Sequence, residues 1–121
     1  MVKTIVCAKR KPGMSREAFL DYWQHQHGAL VKQYKDALRI VRYVQSHSLD
    51  NEVSENFRRA RGGLEMYDGI GEAWFNSLDD LRALGQDEGS RNALLALVKD
   101  EAQFVDQENS RFWVSEEVEI I

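Results

Sequence analysis

The chain holds a single cysteine, Cys7, so it can form no internal disulfide. A reducing, cytoplasmic setting is the expectation that follows. No apolar run approaches the ~20 residues that a membrane-spanning helix needs. The opening residues, Met1 to Val6, lack the basic-then-apolar order of a secretion signal. No basic surplus advertises a nucleic-acid binder: sixteen Lys and Arg face twenty Asp and Glu, for a net charge of −4. Neither a Cys/His cluster, nor a phosphate-cradling glycine loop, nor a dinucleotide fingerprint occurs, and Gly69-Ile70-Gly71 has no third glycine. His25 and His27 are two apart, which on a helix points them in different directions and makes them no metal pair. These absences lead us to expect no metal, no cofactor, no nucleic acid and no membrane among the partners.

What is present suits one domain spanning residues 1–121. The 121 residues are 43% hydrophobic and 30% charged, enough for one core and too few for two. Charge is unevenly spread. Residues 1–42 hold nine basic and three acidic side chains, whereas residues 87–121 hold three basic and nine acidic. The two ends of the chain are therefore expected to lie near each other, within the fold or across a subunit contact.

Alternation and periodicity give the elements. Lys3 to Arg10 is β-branched and apolar on both parities, as in a strand buried on two faces. Lys11-Pro12-Gly13 breaks it. Ser15 is a good N-cap for a helix whose stripe carries Phe19, Tyr22, Trp23, Gln26, His27, Leu30, Val31 and Tyr34. Gly28 inside that pattern weakens the helix or admits a close neighbour. Leu38 to Ser48 reads as a second strand, with Tyr43, Gln45 and His47 on one face and Arg42, Val44 and Ser46 on the other. The polar stretch Leu49 to Asp68 is long enough to be a lid or binding loop, with a short helix over 52–60. Gly69 to Asn76 is a third strand. Ser77 caps a helix that Gly85 stops, helical pattern resumes over 91–98 and again near 101–105, and Ser110 to Val118 is the last strand.

The order βαββαβ with right-handed crossovers makes an α+β, ferredoxin-like fold: a four-stranded antiparallel sheet with the helices on one face. The other face is not polar enough to stay wet. Ile5 to Ala8, Ala73 to Phe75 and Phe112 to Val114 supply apolar groups on both parities. A homodimer joined through sheet faces, with a barrel-like space, is the expected solution. A monomer whose long loop covers the open face is the other.

Tyr22-Trp23-Gln24-His25-Gln26-His27-Gly28-Ala29-Leu30 resembles the helix motif of EthD-like proteins: an aromatic-Trp pair, three variable residues, then His, Gly, Pro and Leu. Ala29 stands where proline is usual. Tyr43 to His47, Tyr67 to Phe75 with Ser77 to Leu81, and the segments Asp100-Glu101 and Phe104 to Asp106 are similar to later parts of that family, in order and spacing. The resemblance implies a dimeric α+β barrel. Similar proteins include polyketide cyclases, methylmuconolactone isomerases and fungal anthrone-type dehydratases or decarboxylases, and more distant barrels include cofactor-free oxygenases and haem-degrading enzymes. Fold does not choose among these.

Catalysis is expected of His27, on the apolar stripe one turn past Trp23, and of His47, at the end of the second strand, because imidazole exchanges protons near neutrality. Substrate-binding roles fall to Tyr22, Tyr43, Gln45, Tyr67, Glu72, Trp74 and Phe112. A strand face carrying Tyr43, Gln45 and His47 is too polar for a packed layer and reads as a cavity wall. Glu72 beside Trp74 offers a carboxyl of raised pKa, or else an ion pair with Arg39 or Arg42. Trp74, Phe112 and Trp113 stack on an aromatic ligand or fill the core. Asp106 and Asn109 are weaker candidates, and Cys7 reads as an inert thiol.

The chemistry expected is cofactor-independent proton transfer next to a carbonyl, on an aromatic, polyketide-like or lactone substrate. Cyclisation, dehydration, decarboxylation and isomerisation share that enolate logic. The alternative is a non-catalytic binder or accessory protein of a catabolic pathway, using the same cavity. A haem-degrading role would need an axial histidine in a wide cavity, which no spacing favours.

Overall fold

The computed structural model describes residues 1–121. Four strands, β1 (Val2–Ala8), β2 (Arg42–His47), β3 (Gly69–Phe75) and β4 (Arg111–Glu116), form one antiparallel sheet in the order β2-β3-β1-β4. That is the expected ferredoxin-like topology. The basic N-terminal and acidic C-terminal ends are neighbours, since β1 pairs with β4 from Val2↔Glu116 to Cys7↔Arg111.

The first helical segment is three pieces in line: α1 (Arg16–Tyr22), a π turn (Trp23–His27) and α2 (Gly28–Tyr34). Ser15 caps it, accepting the Ala18 N–H at 3.0 Å. Phe19, Trp23, His27 and Val31 are buried, but Gln26, expected on the same stripe, is exposed. The wider π turn carries Gln26 outward while its neighbour His27 keeps to the sheet side.

The second strand is shorter than its sequence suggests. Residues 38–41 lie outside it, because α2 unwinds through a Schellman-type end. Ile40 N–H donates to Lys35 C=O, Arg39 N–H donates to Asp36 C=O, and Arg39 occupies the left-handed region at φ 60°. Leu38 is thereby tucked into the core rather than paired in the sheet.

Between β2 and β3, α3 (Glu52–Arg61) buries no residue and stands off the body of the fold. After β3, α4 (Leu78–Arg82) is capped by Ser77, and Gly85 at φ 83° ends the turns that follow it. The expected two helical stretches over 91–105 are one helix, α5 (Glu88–Glu101), capped earlier by Asp87. It ends at Glu101, and a bridge between Arg10 and Val105 ties the following turn to the end of β1.

Register divides the side chains into two sets. Val2, Thr4, Val6 and Ala8 share a face with Gly69, Gly71, Ala73 and Phe75, and with Tyr43, Gln45 and His47. This face meets the helices. Lys3, Ile5 and Cys7 share the opposite, open face with Ile70, Glu72 and Trp74. The α3 hairpin does not cover that face: Ile70 stays 39% and Trp113 46% exposed.

Candidate functional site

A 440 Å³ cavity lies between the sheet and the helix layer. Its walls are mostly aliphatic and aromatic, with Val6, Ala73 and Phe112 from the sheet and Trp23, Leu97 and Phe104 from the helical side. Four polar or titratable side chains enter it: Thr4, His27, Tyr43 and Glu101. In such a setting a few convergent polar groups dictate orientation and chemistry.

His27 comes from the π turn and is 4% exposed. Its Nδ1 lies 2.8 Å from Asp100 Oδ2. The Tyr22 hydroxyl donates to the other oxygen, Oδ1, at 2.5 Å. An ionised Asp100 accepts both bonds and so selects the tautomer with the proton on Nδ1. Nε2 is left with its lone pair, 4.0 Å from Glu101 Oε1. Burial lowers the His27 pKa, and the bond and charge of Asp100 oppose that shift. The ring is therefore neutral and basic at neutral pH. The same bond to Asp100 pushes the Tyr22 hydroxyl up to about 12, so Tyr22 stays a donor.

Glu101 is held in the opposite sense. Burial, and then the charge of Asp100, push its carboxyl up to about 7. A carboxylic acid half-populated at neutrality thus sits across from an imidazole lone pair.

Tyr43 is raised by burial and also stays protonated. Its oxygen accepts from Gln45 Nε2 at 3.1 Å, which leaves its O–H free to donate. Gln45 Nε2 also donates to the Trp23 carbonyl at 2.9 Å, and this decides which way the amide points. Gln45 Oε1 then faces His47 and accepts from its Nε2–H at 2.9 Å. The π turn allows this arrangement, because the Trp23 carbonyl serves both Gly28 N–H and the Gln45 amide.

Of the residues singled out from the sequence, His27, Tyr43, Phe112 and Trp113 line the cavity. Tyr22 and Gln45 stand behind it and hold cavity groups in place. His47 does not open into it: the ring stacks on Trp23 at 5.2 Å and reaches the cavity only through Gln45 and Tyr43. Burial, and next the nearby Arg16, lower its pKa. Tyr67 is in the loop before β3, where its carbonyl accepts the Ser48 hydroxyl, away from the cavity.

Glu72 and Trp74 lie on the other side of the sheet. Neighbouring residues of a strand alternate, so Gly71 and Ala73 take the cavity side. Glu72 forms an ion pair at 2.6 Å with Lys3, not with Arg39 or Arg42. Trp74 lies under the Arg42 guanidinium, and its indole N–H donates to Glu117. Asp106 caps a short turn and bonds Asn109, a structural arrangement. Burial raises the Cys7 thiol, as for an unactivated cysteine.

Sequence reasoning missed Asp100 and Glu101 as site groups. A signal was there: Ala93, Leu97 and Glu101 recur at helical spacing, which puts one carboxylate on an otherwise apolar stripe.

Comparison with curated proteins finds no match. Among solved structures, an ethyl tert-butyl ether D (EthD) family protein of Bacillus halodurans is 14% identical, with 98% of this chain and 99% of that one covered and a TM-score of 0.65. An EthD-like protein of Ralstonia eutropha is 15% identical, covers 95% and 89%, and has a TM-score of 0.60. A dimeric ferredoxin-like protein of unknown function from Thermobifida fusca is 13% identical, covers 94% and 88%, and has a TM-score of 0.56. At these identities the likeness establishes the fold. The sequence pattern carries the family: the EthD domain matches residues 11–108, most of the chain, and the protein belongs to the EthD family.

Proposed function

We propose that the protein is a small-molecule enzyme that moves a proton next to a carbonyl, with His27 as the base. The observation that carries this reading is the Asp100–His27–Glu101 arrangement at the wall of an apolar cavity. Asp100 holds the imidazole in the tautomer that a base needs, as an orienting carboxylate does for other catalytic histidines. Nε2 removes a proton from the carbon beside a substrate carbonyl. The Tyr43 hydroxyl donates to the enolate oxygen as charge develops there. Glu101 returns a proton to carbon or to a leaving hydroxyl. His47 acts through Gln45 and Tyr43, as a positioning residue.

The substrate that suits these walls is uncharged and largely aromatic, because no Lys or Arg side chain lines the cavity. An aromatic ketone, a polyketide-like chain or a lactone fits that description. The steps reached from one enolate are cyclisation, dehydration, decarboxylation and isomerisation.

The working unit is a homodimer. In support, the open sheet face leaves Ile70 and Trp113 half-exposed, and Phe112 and Val114 on the edge strand β4 are 50% and 49% exposed. The similar Thermobifida fusca protein is described as dimeric.

The test is proton exchange. The protein is incubated in D2O with a panel of enolisable aryl ketones, and loss of the α-hydrogen signal is followed by NMR. Exchange above the solvent rate is expected for at least one panel member, and His27→Gln removes it while the fold persists by circular dichroism. Binding without exchange overturns the enzyme reading. The predominantly apolar lining favours the second reading in that event, a carrier or accessory protein that holds its ligand unchanged, with His27 a structural residue.

A further inference from the structure

We infer that Thr4 selects a substrate with a second oxygen, a 1,3-dicarbonyl whose two carbonyls are held by Thr4 and Tyr43. The inference rests on the proton-transfer reading above and adds to it which carbonyl compounds the cavity prefers.

Thr4 is the one polar side chain of the cavity wall that the reading above leaves unused. Its hydroxyl makes no hydrogen bond within the chain, yet it is not sealed in the core as Arg16 Nε and Arg39 Nη1 are. It lies on the cavity face of β1 and is open to a ligand there. A hydroxyl set alone in an apolar wall favours a ligand that brings an acceptor, because one that brings only carbon strips it of water without replacing the bond.

The register places Thr4 with respect to Tyr43. Thr4 pairs with Ala73, and Ala73 pairs in turn with Tyr43. The three form one row across the cavity face, with the small residue in the middle. Ala73 leaves room over that row which a longer side chain would fill. The Tyr43 ring leans along its strand, and its hydroxyl stands 4.0 Å from where a Cβ on Gly71 would be. Gly71 pairs with Val6, so it is a diagonal neighbour of Thr4. Diagonal neighbours lie ~7–8 Å apart, which sets the order of the gap between the two hydroxyls. With ~2.8 Å taken by each O–H···O bond, two acceptor oxygens held between them are ~2–5 Å apart. That span admits two oxygens in a 1,3-relation, whereas the single oxygen of a plain ketone reaches one hydroxyl only.

The chemistry agrees with the spacing. A carbon between two carbonyls releases its proton far more readily than one beside a single ketone. That suits His27, an imidazole whose basicity burial reduces. His27 and Glu101 come from the helical side and face this row across the cavity. Nε2 takes the proton, and the electron pair of the broken C–H bond spreads over both carbonyl oxygens. The Tyr43 O–H stabilises one of them and the Thr4 O–H the other. Without Thr4, part of the developing charge would rest against aliphatic wall.

The test is paired binding. 1-Phenylbutane-1,3-dione and butyrophenone share one carbon skeleton and differ by one carbonyl. Their dissociation constants are measured by titration calorimetry at neutral pH, with His27→Gln as the background so that no turnover intrudes. The diketone is expected to bind about tenfold more tightly than the ketone, and Thr4→Val to lower that ratio ~3–10-fold, with Thr4→Ser retaining it. Valine is a good strand former, and circular dichroism verifies that the fold persists. Should it not, Thr4→Ala against Thr4→Ser reads the same hydroxyl. An unchanged ratio in Thr4→Val overturns the proposal. So does an equal weakening of both ligands, which marks a packing role, and so does binding of neither. Failure of the proton-transfer reading has a different signature: butyrophenone keeps its α-hydrogens in D2O with the unaltered protein, while the binding ratio and its dependence on Thr4 stand.

Discussion

Gly69 sets how closely Trp23 approaches the sheet, and replacing it with alanine tests the packing that places the whole site. A Cβ at position 69 would stand 2.7 Å from the Ser46 carbonyl oxygen and 2.9 Å from Trp23 Cη2, with Cζ3 of the same ring in contact as well. Neither neighbour can move aside cheaply. Ser46 is held in the sheet by its pairing opposite Ile70. Trp23 is 2% exposed, packs on Phe19 at 5.6 Å and stacks on His47. One methyl forced into a well-packed interior costs ~1–3 kcal/mol, and two unyielding contacts put this case near ~3. For a chain of this length the unfolding entropy is ~0.25 kcal/mol/K, so the melting temperature falls by ~12 °C. Calorimetry on Gly69→Ala measures it. Gly28→Ala is the internal control, since its Cβ would meet the Trp23 carbonyl at 3.6 Å and Gln45 Nε2 at 3.8 Å, both ordinary contacts. There the helical preference for alanine prevails, and a gain of ~0.5–1 kcal/mol, or ~2–4 °C, is expected. A Gly69→Ala loss under ~1 kcal/mol would mean that Trp23 is not wedged against β3, and the reasoning would fail. Trp23→Leu on the Gly69→Ala background should recover part of the clash energy, a coupling that a double-mutant cycle isolates.

Other expectations follow from the same geometry. Asp100→Ala removes the partner of both His27 and Tyr22, and proton exchange should fall by ~10²–10⁴, while Tyr22→Phe, which leaves the Asp100–His27 bond, should cost far less. Equal loss in the two variants would remove Asp100 from its orienting role. Glu101, raised from 4.5 to about 7, keeps a proton in the folded state that the unfolded chain releases between those values. Its contribution is therefore full below pH 4.5 and lost as pH rises through about 7, a span of ~3 kcal/mol. His27 works the other way, because its lowered pKa withdraws stability as pH falls through and below 6.5. Subtracting the denaturation curves of Glu101→Gln from those of the unaltered protein isolates the first effect, and parallel curves from pH 4.5 to 7.5 would refute it. His47→Ala should shift the Tyr43 phenol resonance and reduce exchange less than His27→Gln does; an equal loss would place His47 in direct contact with substrate.

The sequence was most legible where local chemistry and tertiary need agree. Ser15 and Ser77 mark helix starts by side chains that accept backbone N–H groups, and the structure uses them so, whereas the helix after Ser77 already ends at Arg82 and Gly85 closes the turns beyond it. The short helix in the long loop is also in place, since Asn51 and the Glu55–Arg58 pair stabilise it locally. Legibility failed where parity had to be turned into inside and outside. Both faces of the sheet are apolar, so Glu72 and Gln45 looked equally inward until the register placed Gly69 and Gly71 against Trp23. It failed again at Arg39, whose left-handed conformation is one that glycine or asparagine usually signals, and at Glu101, where the helix runs on past the point at which its pattern fades. The pairing of His27 with Asp100 joins residues 73 positions apart, and nothing in either neighbourhood announces the other.

The π turn at Trp23–His27 has a consequence for how this helix tolerates length changes. It contains one residue more than α-helical geometry needs to join α1 to α2. Deleting Gln24 or His25 would close it into ordinary helix without turning α1 against α2, because Phe19, Trp23, His27 and Val31, now at four-residue steps, would fall at steps of four, three and four, the spacing of one α-helical face. The bond from Gly28 N–H to the Trp23 carbonyl, which now spans five residues, would become an ordinary four-residue one. A single-residue deletion is therefore absorbed at this turn, whereas one in the regular helix on either side would turn part of the aromatic and histidine stripe off the sheet by ~100°.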